Sequence, residues 1–263
     1  MSEVKNLLER DGVRLDLDGT VAYVTLCNPA KRNAQTPALW RALAEAGRLL
    51  PGQVRIAVLR GEGVSFSAGL DRQAFTPEGF DGDPSFLDLA RGPEPELDAT
   101  ISQYQEAFTW WRCTDLITVA AVQGHAIGAG FQLALACDLR VCAEDAQFAM
   151  RETSLGLVPD LTGSKPLVDI VGYARALEIC VTGRFVHADE AERIGLANLV
   201  VPAPELDPAV ADLVSALLAP PRAAVIETKA LLRGAADRTA EEQRTAERAA
   251  QGRRLRDLAG LGE

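Results

Sequence analysis

At 263 residues with 48% apolar side chains, the chain can bury a sizeable core, and no uninterrupted apolar run reaches the length of a membrane span. Its net charge of −10 argues against nucleic acid as a partner, though local Lys and Arg residues still suit an anionic small molecule. Five cysteines without a Cys-x-x-Cys pair suit buried reduced thiols, two histidines without clustered partners offer no zinc site, and residues 1–6 carry no apolar signal core; a cytoplasmic protein is expected.

Val13-Arg14-Leu15-Asp16-Leu17-Asp18 alternates apolar and polar residues, and Val21-Ala22-Tyr23-Val24-Thr25-Leu26 follows Gly19, which predicts a hairpin. Residues 36–50 read as a helix with Thr36 as cap and Pro37 in its first turn. Arg55-Ile56-Ala57-Val58-Leu59 and Ile117-Thr118-Val119-Ala120-Ala121-Val122 read as buried strands. Between them, residues 76–96 are rich in Pro, Gly and Asp and predict a mobile binding loop, with a helix over 98–112 after it. Residues 138–143 predict another strand. After Pro202-Ala203-Pro204 the pattern turns helical over 209–218, 222–233 and 239–256, the last strongly charged.

Each buried strand runs into a turn of small residues: Phe66-Ser67-Ala68-Gly69-Leu70-Asp71 after the first, and Gly124-His125-Ala126-Ile127-Gly128-Ala129-Gly130 after the second. Small residues let a ligand approach the backbone. The second turn opens a helix at Phe131-Gln132-Leu133, whose first N–H groups lack internal partners and carry the positive end of the dipole. Two such turns converging on one point would form an oxyanion hole. Gly128-Ala129-Gly130 also opens like a dinucleotide fingerprint, but Leu133 stands at the third glycine position, so that reading fails.

Ser65-Phe66-Ser67-Ala68-Gly69-Leu70-Asp71, Ala121-Val122-Gln123-Gly124-His125-Ala126-Ile127-Gly128-Ala129-Gly130 and Ala136-Cys137-Asp138-Leu139-Arg140 resemble the signature segments of the enoyl-CoA hydratase/isomerase (crotonase) superfamily. Asn28-Pro29-Ala30-Lys31-Arg32-Asn33-Ala34 resembles the family's early coenzyme A motif, and the likeness continues through Gly156-Leu157-Val158-Pro159 to Arg193-Ile194-Gly195-Leu196-Ala197-Asn198. The resemblance implies an α/β fold: a spiral of β-β-α units over residues 1–202 and a C-terminal helical, oligomerisation segment over 203–263. It also implies an acyl-CoA substrate, no separate cofactor, no metal, and a homotrimer or homohexamer.

By the same resemblance, the backbone N–H groups of Leu70 and Ala129 hold a thioester enolate. Ala68, Gly69, Asp71, Gly128, Gly130, Phe131 and Gln132 then surround the substrate, while Lys31, Arg32 and Lys229 are candidate coenzyme contacts. Asp71 also reads as a turn-fixing cap and His125 as a packing histidine. Hydratases of the family carry two glutamates; here Gln132 stands at the first position and Glu152 at the second. An amide orients but takes no proton at neutral pH. Asp160 stands where dienoyl-CoA and epoxyphenylacetyl-CoA isomerases are similar, and where an aryl-CoA dehalogenase branch has a nucleophile. One base suffices to shift a double bond, whereas hydration also needs an activated water. The expected reaction is therefore isomerisation with Asp160, then Glu152, as base. Hydration by the two together, or acyl-CoA binding without catalysis, are the alternatives.

Overall fold

Alternation in the first hairpin buries Val13, Leu15 and Leu17 on one face, and Gly19 takes the positive φ that the turn requires. In the computed structural model, which describes residues 4–80, 82–113 and 115–261, these strands are β2 (Val13–Asp18) and β3 (Val21–Leu26), paired antiparallel. They continue an edge strand, β1 (Lys5–Arg10), whose mostly exposed side chains gave no apolar pattern to read. Thr36 caps α1 (Pro37–Leu49) by accepting from Leu39 N–H, as expected.

The main sheet then adds parallel strands: β4 (Ile56–Gly61), β5 (Ile117–Val122), β7 (Leu139–Ala143) and β10 (Leu199–Val201). A smaller sheet holds β6 (His125–Ile127), β8 (Gln147–Ala149) and β9 (Val186–His187). Ser67 makes a parallel bridge to Ala126, so the turn after β4 occupies the place in its unit that β6 occupies after β5 and β8 after β7. This repetition of long strand, short strand and helical segment is the β-β-α spiral.

Helix α4 (Ala129–Ala136) is buried on every side, as its nearly all-apolar sequence demands. The Arg140 guanidinium satisfies carbonyls at its far end, from Ala134 and Cys137. The 76–96 segment carries helices that its composition does not predict. Ser85 caps α2 (Phe86–Arg91), and α3 (Glu94–Thr109) starts four residues before the predicted helix. Arg41 on α1 pins the segment through two 2.8 Å hydrogen bonds to Asp83.

Past β8 lie α5 (Ser164–Val171), α6 (Tyr173–Thr182) and α7 (Ala188–Arg193). The C-terminal helices are α8 (Leu206–Leu218), α9 (Arg222–Gly234) and α10 (Ala240–Leu258). Leu206, Val210 and Val214 of α8 cover the second face of the sheet, against Ile56, Val58, Val119 and Val141. Among the described residues, no single helix is long and apolar enough to cross a membrane.

Lys229 is tied to its own chain. Its ammonium is buried and donates to Asp138 Oδ2 at 2.6 Å and to the Leu116 carbonyl at 2.7 Å, and the residue borders a cleft of about 450 Å³ shared with Asp138, Leu139, Leu217 and Val225. It anchors α9 to the start of β7. Lys229→Met is expected to cost about 3 kcal/mol, because it strands the Asp138 carboxylate. Thermal unfolding would register this as a clear fall in Tm; an unchanged Tm would deny the anchoring role.

Candidate active site

The first turn is held from beneath by buried polar side chains. Asn33 accepts from Asn28 N–H and donates to the carbonyls of Glu62 and Ser65, each at 2.9 Å. Ser67 Oγ donates to the Asn33 carbonyl at 2.8 Å and accepts from Gly69 N–H at 3.2 Å and from Gln35 Nε2 at 3.1 Å. Gln35 in turn accepts from the Trp40 indole at 2.7 Å. With Gly69 N–H taken by Ser67 and Asp71 N–H by the Gln35 carbonyl, the Leu70 N–H between them is left for a ligand.

The second turn is stitched to the first by Ser67 N–H to the His125 carbonyl at 2.8 Å and Ile127 N–H to the Ser67 carbonyl at 3.0 Å. Ala129, first residue of α4, has no intrahelical acceptor for its N–H. The approach of the two turns is close. A β-carbon on Gly69, at φ +84°, would meet the Ile127 carbonyl oxygen at 2.3 Å, and one on Gly130 would meet that of Ser67 at 2.6 Å. Only glycine fits either place.

Ala68, Gly69, Leu70, Gly128 and Ala129 line one cleft of about 600 Å³, and so do Glu152 and Asp160. Its apolar end is built by Trp40, Phe75, Phe86, Ile101, Leu157 and Val158. Phe86 meets Phe75 edge-on at 5.4 Å and stacks on Tyr104 at 5.9 Å, so rings from the 72–75 turn, α2 and α3 pack together beside the cleft.

Glu152 opens a 3-10 turn (Glu152–Leu155) after β8 and is 9% exposed. One oxygen, Oε1, accepts from Gln132 Nε2 at 2.8 Å; the other, Oε2, is buried without a hydrogen-bond partner. The carboxylate lies against the second turn, with Oε1 3.3 Å from where a β-carbon on Gly128 would be. Burial pushes the Glu152 carboxyl above the ordinary carboxylate range, and the Asp160 charge adds to this, while the Gln132 amide and backbone N–H groups oppose it. Asp160 is open to water along the cleft yet flanked by protein, and desolvation raises its carboxyl too. It caps no helix: α5 starts at Ser164, and the Asp160 backbone carbonyl accepts from Gln105 instead.

Other sequence candidates lie away from the cleft surface. Gln132 is buried behind Glu152, and the Phe131 ring packs on Phe148 at 5.2 Å in the core rather than facing an acyl group. Asp71 caps the turn over Arg72–Phe75 and pairs with Lys31 at 2.9 Å; burial alone would raise its carboxyl, but Gln73 N–H and the Lys31 ammonium outweigh this and hold it low. Lys31 is 57% exposed and Arg32 takes a left-handed conformation beside it. His125 Nδ1 lies 3.2 Å from Ser65 Oγ, a packing arrangement. The residues that sequence reasoning missed are Asn33, Gln35, Ser67 and the aromatic wall. Buried amides leave no periodic signal, and Phe75 and Phe86 flank what reads as irregular chain.

Unshared N–H groups, an apolar acyl-sized cleft and two carboxylates with raised proton affinity suit proton transfer beside a carbonyl that becomes an oxyanion. A family model described as Enoyl-CoA hydratase/isomerase matches residues 16–256. The carnitinyl-CoA dehydratase of Salmonella typhi is 33% identical over 238 residues, covering 88% of this chain and 84% of the relative. The hydroxycinnamoyl-CoA hydratase-lyase of Pseudomonas fluorescens is 30% identical over 214 residues, 78% and 72% of the two chains. A provisionally assigned enoyl-CoA hydratase of Thermobifida fusca YX, solved with CoA, superposes with a TM-score of 0.89 at 48% identity over 95% of both chains. Its complex with acetoacetyl-CoA gives the same score and identity over 94% and 95%.

Proposed function

The chain belongs to the enoyl-CoA hydratase/isomerase family, and on that premise we propose that it shifts a double bond within an enoyl-CoA thioester through an enolate. The thioester oxygen accepts from the N–H groups of Leu70 and Ala129. Glu152 removes a proton beside the conjugated system and returns it at another carbon, with its partnerless oxygen as the base. That oxygen, buried against the turn that holds the thioester, is the observation that carries the reading. It also reverses the order expected from sequence, where Asp160 came first. Asp160 faces the same cleft and is the second proton-moving group. Lys31 and Arg32 are the coenzyme contacts of this reading.

Hydration is the second reading. The access of water to Asp160 favours it, since a second carboxylate holding water is what addition across a double bond requires. Turnover of a 3-enoyl-CoA in deuterium oxide separates the two. Isomerisation yields a conjugated thioester of unchanged skeleton with deuterium at an exchanged carbon; hydration of a 2-enoyl-CoA yields a product heavier by one water. Binding without exchange or turnover across a panel of thioesters would leave only an acyl-CoA binder. In either reaction the base works ionised and its carboxyl is raised by burial, so kcat/KM is expected to fall with decreasing pH from above the ordinary glutamate value. An acid limb at or below that value would count against Glu152.

The assembly of this reading is a homotrimer or homohexamer. Tyr173, Leu177 and Val181, one helical turn apart on α6, are 70%, 47% and 61% exposed, an apolar stripe that suits a subunit contact. Light scattering should give a multiple of three chain masses; a monomer at micromolar concentration would reject it.

A further inference from the structure

Gln132 hydrogen-bonds both the Glu152 carboxylate and the backbone just after Asp160. Its carbonyl oxygen accepts from Leu161 N–H at 2.9 Å and Gly163 N–H at 3.2 Å, just after Asp160. Those two donors fix the orientation of the amide, so its NH2 end faces Glu152. It is 1% exposed, lies behind Glu152 rather than on the cleft wall, and has Gly163 packed on its stem where no β-carbon would fit.

We propose that Gln132 is a positioning residue that assigns the proton chemistry of the cleft: it occupies Glu152 Oε1, leaves Oε2 as the working oxygen, and ties the Asp160-bearing loop to the same amide. This rests on Glu152 being the base. The charged groups around Glu152 are few. Asp160 faces it from the loop, the Cys180 thiol of α6 lies close enough to feel its charge, and of the two arginines lining the same cleft, Arg72 forms no ion pair with it and Arg151 donates to the Gly183 carbonyl and lies over the Phe185 ring. No cation neutralises Glu152 among these, so the amide N–H is the main side-chain support for its charged form.

Two consequences follow from the geometry. Glutamate at position 132 would still accept from Leu161 and Gly163, but its other oxygen would lie against Glu152 Oε1, 2.8 Å away in the present structure. Two carboxylates at that separation hold one proton between them. The change therefore does not place a second acid at the acyl chain; it keeps the existing base protonated. Methionine at 132 would remove the donor without adding charge, and would release the loop.

The test is the titration of Glu152, read by infrared spectroscopy of its carboxyl band with Glu152→Gln as the subtraction reference, alongside pH profiles of kcat/KM. The midpoint should rise in Gln132→Met and rise further in Gln132→Glu. The acid limb should move with it, and at neutral pH Gln132→Glu should lose about tenfold or more in kcat/KM and regain it as pH rises. An unmoved Glu152 midpoint in both folded variants overturns the proposal. So does the parent-like titration of whichever variant folds, should the other fail to. A midpoint that moves while the kinetic limb stays fixed supports the role of Gln132 in the carboxylate pair but overturns Glu152 as the base.

Discussion

Glu152→Gln is expected to lose turnover by about a hundredfold to ten-thousandfold, the usual worth of a positioned general base. The substitution is nearly isosteric, and the apolar wall and N–H groups proposed to hold the thioester are untouched, so affinity for a CoA thioester should stay within a few fold. Stability should move the opposite way from activity. A carboxyl whose proton affinity is raised on folding contributes stability that is fully present below its unfolded pKa and is lost as pH rises through the folded value. At a pH above the folded value the parent carries a buried, half-partnered charge that the amide removes, and there Glu152→Gln should melt higher than the parent. Asp160→Asn, in a water-accessible carboxylate, should do less to both. The reverse pattern, with Asp160→Asn inactive and Glu152→Gln nearly normal, would transfer the base to Asp160 and leave the family membership intact.

The scaffold was legible because strands β2, β3 and β5 and helix α1 are written in local patterns: alternation, an apolar run, a Thr-Pro start. The glycine turns were legible for a similar reason, since a backbone that admits no β-carbon must spell itself with glycine at 69 and 130. Relations between distant side chains were not. Nothing near Gln132 says that its amide lies between Glu152 and Leu161, and nothing near Lys229 says that it ends on Asp138, 91 residues away in the chain. Both residues have the types and positions the family resemblance assigns to substrate contact, and both also hold together distant parts of their own chain. Segment 76–96 misled for a third reason. Its Pro and Gly residues signal irregular chain, but the fastening comes from elsewhere, through Arg41 and the rings that Phe86 meets.

The second large effect is expected from a methyl group. Gly69→Ala adds no charge and removes no side-chain contact, but position 69 sits at φ +84° and the new β-carbon would lie 2.3 Å from the Ile127 carbonyl. Relief requires the first turn to move away from the second. The Ser67 ladder to His125 and Ile127 holds the base of both turns, so the displacement falls on the next peptide, the one that presents the Leu70 N–H. A donor misaimed at a developing oxyanion forfeits what a deleted one does, about a hundredfold to a thousandfold in kcat. The loss should appear in kcat more than in KM, because negative charge builds on the oxygen only on the way to the enolate and not in the bound substrate. Leu70→Ala is the control: it trims the side chain, keeps the N–H where it is, and should fall only a few fold. If Gly69→Ala folded normally and turned over at the parent rate while Leu70→Ala did not, the side chain rather than the backbone would be the working part of the turn, and the oxyanion assignment would fail.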